Sequence, residues 1–382
     1  MKLEILQENL SRGISSVCRI LTSHPQIPIL ANVLFKASMG QLEIVASNLE
    51  TTIVVGVGAK VEKTGEFTVP GRSILEMVNG LSADKLDLEL KEGFLALSGG
   101  KFKGKLSGTP AAEFPKLFEG ESANKQTAVW EINKTEFQTV VGRLAFAAAA
   151  DESRAVLTGV VIKSDKNGLV LAATDGFRLS VDQIKTSREN KDELKFILPA
   201  RALNEVARVL GEEKNKDENK KVFRLVYFEE KNEVVFEMGD TKIISRLIAG
   251  NFPDYEKIIP SSSQIKIVST TGELSKAVRL AAIFARESAN IVKLRLEKGK
   301  LKISANAPQV GENESEMDVT LEKGGGEEFS IAFNYRYLLD LFSCLEETEI
   351  CLGFNGPLTS GVFTVSKHTS FLHIIMPVRV QA

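Results

Sequence analysis

A threefold internal repeat limits how this chain can fold more than any other feature. At three places a strand-like segment leads into an amphipathic helix pattern, with an arginine near the junction. The segments are 67–72 followed by 73–78, 196–201 followed by 202–207, and 329–332 followed by 336–341. In the third copy the helix pattern begins two residues later after the strand than in the other two. The copies recur at about 130 residues, so three of them account for the whole chain. A chain of three like units generally works through a surface that the units share, so a single set of catalytic groups is not expected.

Each repeat combines helix and strand patterns in the same order. The first helix carries apolar residues at i, i+3, i+4 and i+7. They are Leu10, Ile14, Val17, Cys18 and Leu21; Phe137, Val140, Val141 and Leu144; Leu274, Ala277, Val278 and Ala281. Period-two alternation predicts strands at 40–46, 168–173 and 300–305. Closing hairpins are predicted at 86–108, 222–249 and 349–378. We therefore predict an α+β fold of three domains, 1–120, 126–252 and 253–382, each with two helices packed on one face of an antiparallel sheet.

The charge balance excludes a strongly basic protein. Lys and Arg number 48 against 50 Asp and Glu, which gives a formal net charge of −2. Affinity for nucleic acid would therefore require local segregation of charge. Cys18, Cys344 and Cys351 have no metal-like spacing and are expected to be reduced. With no signal-peptide core and no apolar run of membrane length, we expect a cytoplasmic protein without membrane association.

Basic residues follow the predicted helices in a repeated way. Arg72, Arg201 and Arg336 take the same place at the start of the second helix of each repeat. One interpretation is that they lie on solvated outer faces of amphipathic helices. The repetition favours a shared surface that contacts DNA phosphates, because arginine and lysine pair with phosphate whatever the base sequence. The predicted set is Arg12, Arg19, Arg72, Lys134, Arg143, Arg201, Arg208, Lys276, Arg279, Arg286 and Arg336.

The sequence nominates no catalytic, cofactor or metal site. It has no G-x-x-x-x-G-K-[ST] phosphate loop and no G-x-S-x-G element. The three histidines do not form a metal-ligand set, and Asp151 and Glu152, as neighbours in an extended segment, point apart. An enzyme acting on nucleic acid is therefore not supported, because it would need a carboxylate or metal constellation.

Five short segments resemble the DNA polymerase III β subunit family, the bacterial sliding clamps. Residues 173–179, A-T-D-G-F-R-L, resemble the family segment A-T-D-G-H-R-L, and the other segments are 28–32, 110–115, 252–255 and 376–379. The resemblance implies three clamp-type domains and a head-to-tail homodimer, a six-domain ring around duplex DNA. It implies a non-catalytic processivity factor that holds the replicative polymerase at the nucleoid, on DNA, after a clamp loader has opened the ring.

The resemblance also implies a groove for short linear peptides of the replicative polymerase, the clamp loader, and repair and translesion polymerases. Its aliphatic and methionine walls would accept apolar anchor residues. Phe177 replaces a common histidine and Lys257 a common arginine, which bears on peptide preference. From the residues alone, a last strand at 374–377 is the preferred interpretation. The implied groove residues are Leu157, Thr174, Gly176, Phe177, Arg178, Leu179, Pro253, Lys257, Ile258, Tyr337, Ile374, Met376, Pro377, Val378 and Arg379.

Two loops supply further candidates for DNA contact by resemblance. Ala155 and Val156 stand where some members have two tyrosines, so an aromatic contact is not expected there. Arg154 in the same loop and His24 in another are retained as DNA-contact candidates.

The ring interface implied by the resemblance joins the closing hairpin of the first repeat to the first helix of the third. Lysines 101, 103 and 105 would face Glu287 or Glu297 across it. The expected interface residues are Gly104, Leu106, Ile283 and Phe284.

Two functions are weighed on these grounds. The first is a topological DNA clamp. The second is a specialised clamp paralogue that binds peptides as a scaffold and does not encircle DNA. The repeated basic positions favour the first.

Overall fold

The computed structural model describes residues 1–22, 25–115, 126–186, 193–212, 221–324, 328–366 and 368–379, which fold into two compact units. The first unit contains Met1–Lys134 and Arg208–Leu247, and the second contains Thr135–Ala207 and Ile248–Ala382. The first repeat therefore shares a unit with the closing strands of the second repeat. No helix in the described part of the chain is long and apolar enough to span a membrane.

The three repeats form their elements in the same order. The first contributes α1 (Gln7–Cys18), α2 (Gly71–Asn79), β1 (Lys2–Leu6), β2 (Asn32–Ser38), β3 (Gln41–Ser47), β4 (Thr51–Gly58), β5 (Lys60–Lys63), β6 (Gly65–Pro70), β7 (Lys85–Lys91), β8 (Phe94–Gly99) and β9 (Phe102–Ser107). The second contributes α3 (Lys134–Leu144), α4 (Ala200–Glu212), β10 (Ala128–Asn133), β11 (Gly159–Asp165), β12 (Gly168–Thr174), β13 (Arg178–Lys185), β14 (Lys195–Pro199), β15 (Val222–Phe228), β16 (Glu233–Met238) and β17 (Thr241–Arg246). The third contributes α5 (Thr271–Ala285), α6 (Tyr335–Cys344), β18 (Ile265–Thr270), β19 (Ile291–Glu297), β20 (Lys300–Ala307), β21 (Gly311–Asp318), β22 (Thr320–Lys323), β23 (Phe329–Asn334), β24 (Glu349–Phe354), β25 (Gly361–Val365) and β26 (His368–Ile375).

The predicted helix faces and strands are confirmed. The apolar residues predicted for the first helices are buried, except that Cys18 is half-buried. Leu21 is buried but lies after the end of α1. The three period-two segments form β3, β12 and β20. Helix α6 begins late in its repeat because Asn334 caps it, accepting a 3.0 Å hydrogen bond from the Arg336 N–H. In the other repeats a proline, Pro70 or Pro199, ends the strand immediately before the helix.

The strands of each repeat are divided between two sheets, which corrects the expectation of one sheet per repeat. In the first unit the strand orders are β5-β1-β7-β8-β9 and β10-β15-β16-β17-β4-β3-β2-β6. In the second unit they are β14-β11-β12-β13-β26-β25-β24-β18-β22 and β21-β20-β19-β23. Each closing segment forms three strands where a hairpin was predicted: β7 to β9, β15 to β17 and β24 to β26.

Two strand pairings join successive repeats into continuous sheets. Strand β17 pairs antiparallel with β4, with Ile243 opposite Ile53, and β26 pairs antiparallel with β13. Each pairing satisfies backbone groups along two edges that would otherwise be open. In repeat order β4, β13 and β21 are equivalent, and so are β9, β17 and β26. In each set one strand lies at the edge of its sheet: β21 in the first set and β9 in the second.

Candidate functional site

Three predicted DNA-contact arginines share one structural position. Arg72, Arg201 and Arg336 are each the second residue of a helix, in α2, α4 and α6, and each is exposed. The Arg201 guanidinium lies 3.5 Å from the Glu152 carboxylate, with both side chains about four-fifths exposed (82% and 78%). The guanidinium of Arg336 lies over the Tyr335 ring. Their shared position supports the repeat alignment, and their contact with DNA stays a prediction.

The other basic positions of the first unit lie on α1, α3 and α4 or directly after α1. Arg12 is exposed on α1, and Lys134 is the first residue of α3. Arg19 follows the last residue of α1 and binds the Glu212 carboxylate through both of its terminal nitrogens. Arg208 of α4 lies 3.6 Å from the same carboxylate.

In the second unit, helix α5 presents three predicted basic residues. Lys276, Arg279 and Arg286 are exposed. Arg286 ends the helix and donates from Nε to the Ala282 carbonyl oxygen at 3.2 Å. Lys276 occupies the sixth position of α5, as Arg12 does in α1, so these two first helices match as predicted.

Arg143 is wrong as a DNA-contact residue. It is 2% exposed, within α3, and its terminal nitrogens pair with Glu347 and, at 3.7 Å, with Asp182. Its guanidinium also lies over the Phe371 ring at 5.5 Å. Arg143 was predicted to contact DNA as a basic residue of the first helix of its repeat, but carboxylates from elsewhere in the fold pair with it in the interior, away from any phosphate.

Arg154 lies at the predicted groove. Its Nη2 donates to the Asp175 carbonyl oxygen at 3.0 Å, and its Nη1 would lie 3.1 Å from a Cβ placed on Gly176. The residue interrupts the 3₁₀ segment Glu152–Thr158 with φ −119° and ψ 65°. The exposed Arg154 side chain therefore lies beside residues of the predicted groove, and its contact with DNA stays a prediction. His24, also predicted to contact DNA, lies outside the described residues.

A tight turn between β12 and β13 contains several residues of the predicted groove. Asp175 Oδ1 accepts hydrogen bonds from the N–H groups of Phe177, at 2.8 Å, and Arg178, at 3.0 Å. Thr174 Oγ1 accepts from the Gly176 N–H at 3.0 Å and donates to the Arg178 carbonyl oxygen at 2.6 Å. Gly176 has a φ of 94°, a conformation that favours glycine, so the turn depends on it.

The final strand brings the C-terminal groove residues to this turn. Leu179 pairs with Ile374, and the Met376 N–H donates to the Phe177 carbonyl oxygen at 2.8 Å. Phe177 is 57% exposed and Met376 46% exposed, so two large apolar side chains face solvent at this edge. Leu157, Thr174, Leu179 and Ile374 are buried behind them. The remaining C-terminal residues of the set, Pro377, Val378 and Arg379, follow without regular structure.

The segment after Phe252 supplies the other predicted wall residues. Phe252 and Tyr255 are buried in the same core as Leu179 and Ile374. This placement leaves Pro253, Lys257 and Ile258 on the surface around a short 3₁₀ turn, with Ile258 52% exposed. Lys257 pairs with Asp254 at 2.7 Å, which raises the pKa of Lys257 and lowers that of Asp254.

Arg178, one of the predicted groove residues, is held by contacts within the protein, so its guanidinium is not free to bind a peptide. Its Nε binds Asp175 at 3.0 Å, Nη1 binds Asp340 at 2.6 Å, and Nη2 donates to the Phe146 carbonyl oxygen at 2.6 Å. Its guanidinium lies over the Phe146 and Tyr337 rings, 5.2 and 4.7 Å from their centroids. It thereby fixes the turn against α6. Sequence reasoning missed Asp175, Asp340 and Phe146 in this role, because only the fold brings them together.

The expected interface residues lie on two separate elements. Gly104 and Leu106 lie on edge strand β9, and a Cβ on Gly104 would come within 2.8 Å of the Phe102 ring. Ile283 of α5 is 48% exposed. Phe284 is half-buried beside Gly311, the first residue of β21. Within the described residues, no group of three or more His, Cys, Asp or Glu side chains could hold a metal ion.

Three family models match consecutive parts of this chain. The models of the DNA polymerase III beta subunit match its N-terminal domain at 1–118, its central domain at 131–254 and its C-terminal domain at 256–379. The beta sliding clamp of Chlamydia muridarum is 28% identical over 381 residues, covering 100% of this chain and 99% of the relative. That of Synechococcus elongatus is 29% identical over 388 residues and covers 100% of both.

Solved structures agree over the full length. The beta subunit of Thermotoga maritima has a TM-score of 0.88 and 28% identity, and covers 100% of both chains. The sliding clamp of Pseudomonas aeruginosa bound to griselimycin has a TM-score of 0.91 and 26% identity, also over 100% of both chains.

Three α+β repeats with shared antiparallel sheets define the class of DNA clamps. The chain belongs to the DNA polymerase III β subunit family. Its function is that of a sliding clamp, a non-catalytic processivity factor of DNA replication that works with DNA and a polymerase. The match along the whole chain does not favour a specialised paralogue. Membership of the family implies the two-copy ring.

Proposed function

We propose that two copies of this chain form a closed head-to-tail ring in which β9 of each copy pairs with β21 of the other. The repeated basic helix positions face the DNA inside this ring. The turn after β12 binds peptides of partner proteins. The observation that carries ring closure is the pair of sheet edges left by the repeat. Equivalent strands are already paired twice within the chain, as β17 with β4 and β26 with β13. The same pairing between copies joins β9 of one to β21 of the other, and a heterologous contact of this kind closes into a ring.

Charge on the two edge strands favours this pairing. Strand β9 exposes Lys103 and Lys105, and β21 exposes Glu312 and Glu314, in each case on alternate residues. Glu297, one of the acids first expected to face these lysines, is bound within its own sheet by Lys302 at 3.1 Å. We therefore assign Glu312 and Glu314 as the complementary acids. On the other face of the strand, Gly104 and Leu106 are placed to meet Ile283 and Phe284, beside the start of β21.

The DNA surface consists of helix residues with phosphate-binding side chains and no base-reading element. We assign to it Arg12, Arg72, Lys134, Arg201, Lys276, Arg279, Arg286 and Arg336, with Arg19 and Arg208. Phosphate contacts of this kind are independent of sequence, so a ring can move along the duplex while its topology prevents escape.

Retention on DNA tests the ring and its basic surface together. Loaded onto a nicked circular plasmid at moderate salt, the wild-type ring should stay bound and should be lost once the plasmid is linearised. The triple variant Arg72→Glu, Arg201→Glu and Arg336→Glu should lose processivity with a clamp loader and polymerase while still binding partner peptide. Equal loss of the wild-type ring from circular and linear DNA would overturn the topological mechanism.

The groove accepts apolar anchors of short peptides, in our proposal from the replicative polymerase, the clamp loader, and repair and translesion polymerases. The exposed side chains of Phe177, Ile258 and Met376 support this assignment, as does the griselimycin complex of a relative. Because these partners act on chromosomal DNA, we propose that the protein works in the cytoplasm, at the nucleoid. Phe177→Ala should weaken binding of a polymerase-derived peptide at least about tenfold. Met39→Ala, at a 91% exposed methionine on the β2–β3 turn, should leave it unchanged; an equal effect of the two would contradict the groove.

A further inference from the structure

The carboxylate of Glu212 binds two of the proposed DNA-facing arginines. Its Oε1 and Oε2 accept from Arg19 Nη2 at 2.7 Å and Nη1 at 3.0 Å, two parallel hydrogen bonds from one guanidinium. The Oε1 atom also lies 3.6 Å from Arg208 Nη1, one helical turn earlier on α4. A guanidinium makes the same two-bond fork with the oxygens of a phosphate. The Glu212 carboxylate therefore has the geometry of a phosphate held between two arginines.

The exposure of this cluster shows that a competing anion can reach it. The side chains of Arg19, Glu212 and Arg208 are 29%, 47% and 37% exposed. Exposed ion pairs contribute little to folding, because their attraction is screened and their side chains lose conformational freedom. The cluster therefore contributes little to folding stability. It does reduce the local positive charge, because the one Glu212 carboxylate lies beside both Arg19 and Arg208.

We propose that Glu212 occupies a phosphate-binding position formed by Arg19 and Arg208 and so weakens the grip of the ring on DNA; this inference rests on the proposed function. A DNA phosphate that reaches these arginines must first displace Glu212. The affinity for DNA and its dependence on salt both come from counterions that are released when basic groups bind phosphates. An arginine that is already neutralised by a carboxylate contributes less to the affinity and less to the salt dependence. Glu212 thereby limits the friction between a sliding ring and its duplex.

The test is equilibrium binding of a short labelled linear duplex, which can thread a closed ring without a loader, across a series of salt concentrations. Glu212→Gln should raise the affinity about three- to tenfold and steepen the slope of log K against log salt by about 0.9 to 1.8, the values for one to two added phosphate contacts. Its thermal midpoint should stay at the wild-type value.

Two control variants separate the inference from a general effect of charge. Glu76→Gln removes an exposed acid from α2 that makes no ion pair with the described residues, so it should raise affinity far less than Glu212→Gln. With Arg19 and Arg208 both changed to Gln, Glu212→Gln should gain no more than Glu76→Gln.

The possible outcomes distinguish the two levels of the proposal. If wild-type rings fail to stay on nicked circular DNA, the proposed function itself fails. If they stay, but Glu212→Gln matches Glu76→Gln in affinity and slope, the phosphate-position inference is overturned and the ring mechanism stands.

Discussion

At the scale of single residues, burial decides the role of side chains that look alike in the sequence. Arg12 and Arg143 are both basic residues of the first helix of a repeat, yet Arg12 is exposed and Arg143 is enclosed by Asp182 and Glu347. Burial of a charge is tolerated only when opposite charges and hydrogen bonds compensate it. Which of two helical arginines receives such partners depends on residues more than 30 positions away, and a local pattern cannot show this.

Arg143→Ala should therefore be far more damaging than Arg12→Ala. It would leave two buried carboxylates without their cation and should reduce the free energy of unfolding by about 3–5 kcal/mol. An exposed helical arginine changed to alanine should alter it by less than about 0.5 kcal/mol. Chemical denaturation of the two variants and wild type measures both values, and similar destabilisation by the two would contradict the buried network.

His373 should make stability depend on pH. It is fully buried with Nδ1 2.6 Å from Ser180 Oγ, and burial, together with the nearby Arg178 charge, lowers its pKa to about 3. Below its unfolded pKa near 6.5, the unfolded chain takes up a proton that the folded chain does not. His373 thus costs about 1.4 kcal/mol of stability per pH unit as pH falls from about 6.5 toward 3.

Denaturation between pH 7 and pH 5 should show a smaller loss of stability for His373→Gln than for wild type. Ser180→Ala keeps the buried imidazole and should keep the wild-type slope. Identical slopes for wild type and His373→Gln would show that this histidine does not take part in the linkage.

At the scale of elements, the sequence predicted the helices and many strands because both leave a period in the apolar residues. It also predicted that Arg72, Arg201 and Arg336 share one place at a helix start, since a repeated motif marks a repeated helix start. It did not predict the contacts among the predicted groove residues and their neighbours, such as Arg178 with Asp340, 162 residues apart. Such contacts leave no local period, so the groove residues were predicted from the family resemblance alone.

Two glycine substitutions should have opposite effects because their elements differ. Gly176→Ala puts a side chain into a turn with positive φ and within 3.1 Å of Arg154 Nη1, so it should lower stability by about 1–2 kcal/mol. Gly142→Ala lies in α3 with open space around it and should raise stability by about 0.5–1 kcal/mol. The thermal midpoint should fall for Gly176→Ala and rise for Gly142→Ala. A stabilising Gly176→Ala would mean that the turn is not as described.

At the scale of the whole molecule, the repeat determines both what the chain completes by itself and what it leaves open. Two of the three equivalent edge pairings are made within the chain, and the third pair of edges, β9 and β21, remains at the ends of separate sheets. An exposed edge invites pairing with another chain, so a specific partner must be favoured over random association. In the ring that we propose, basic residues on β9 and acidic residues on β21 provide that preference, because like edges repel one another.

Charge reversal tests this preference through the pattern of rescue. A chain with Lys103→Glu and Lys105→Glu places acids on both edges, and a chain with Glu312→Lys and Glu314→Lys places lysines on both. Each alone should dimerise at least about tenfold more weakly than wild type, because every interface then opposes like charges. Mixed one to one, the two variants should recover dimers by analytical ultracentrifugation, since both interfaces of the mixed ring pair opposite charges. A chain with all four changes should also recover. Weak dimers in the mixture, with intact folding of each variant by circular dichroism, would show that ring closure does not use β9 and β21 in this arrangement.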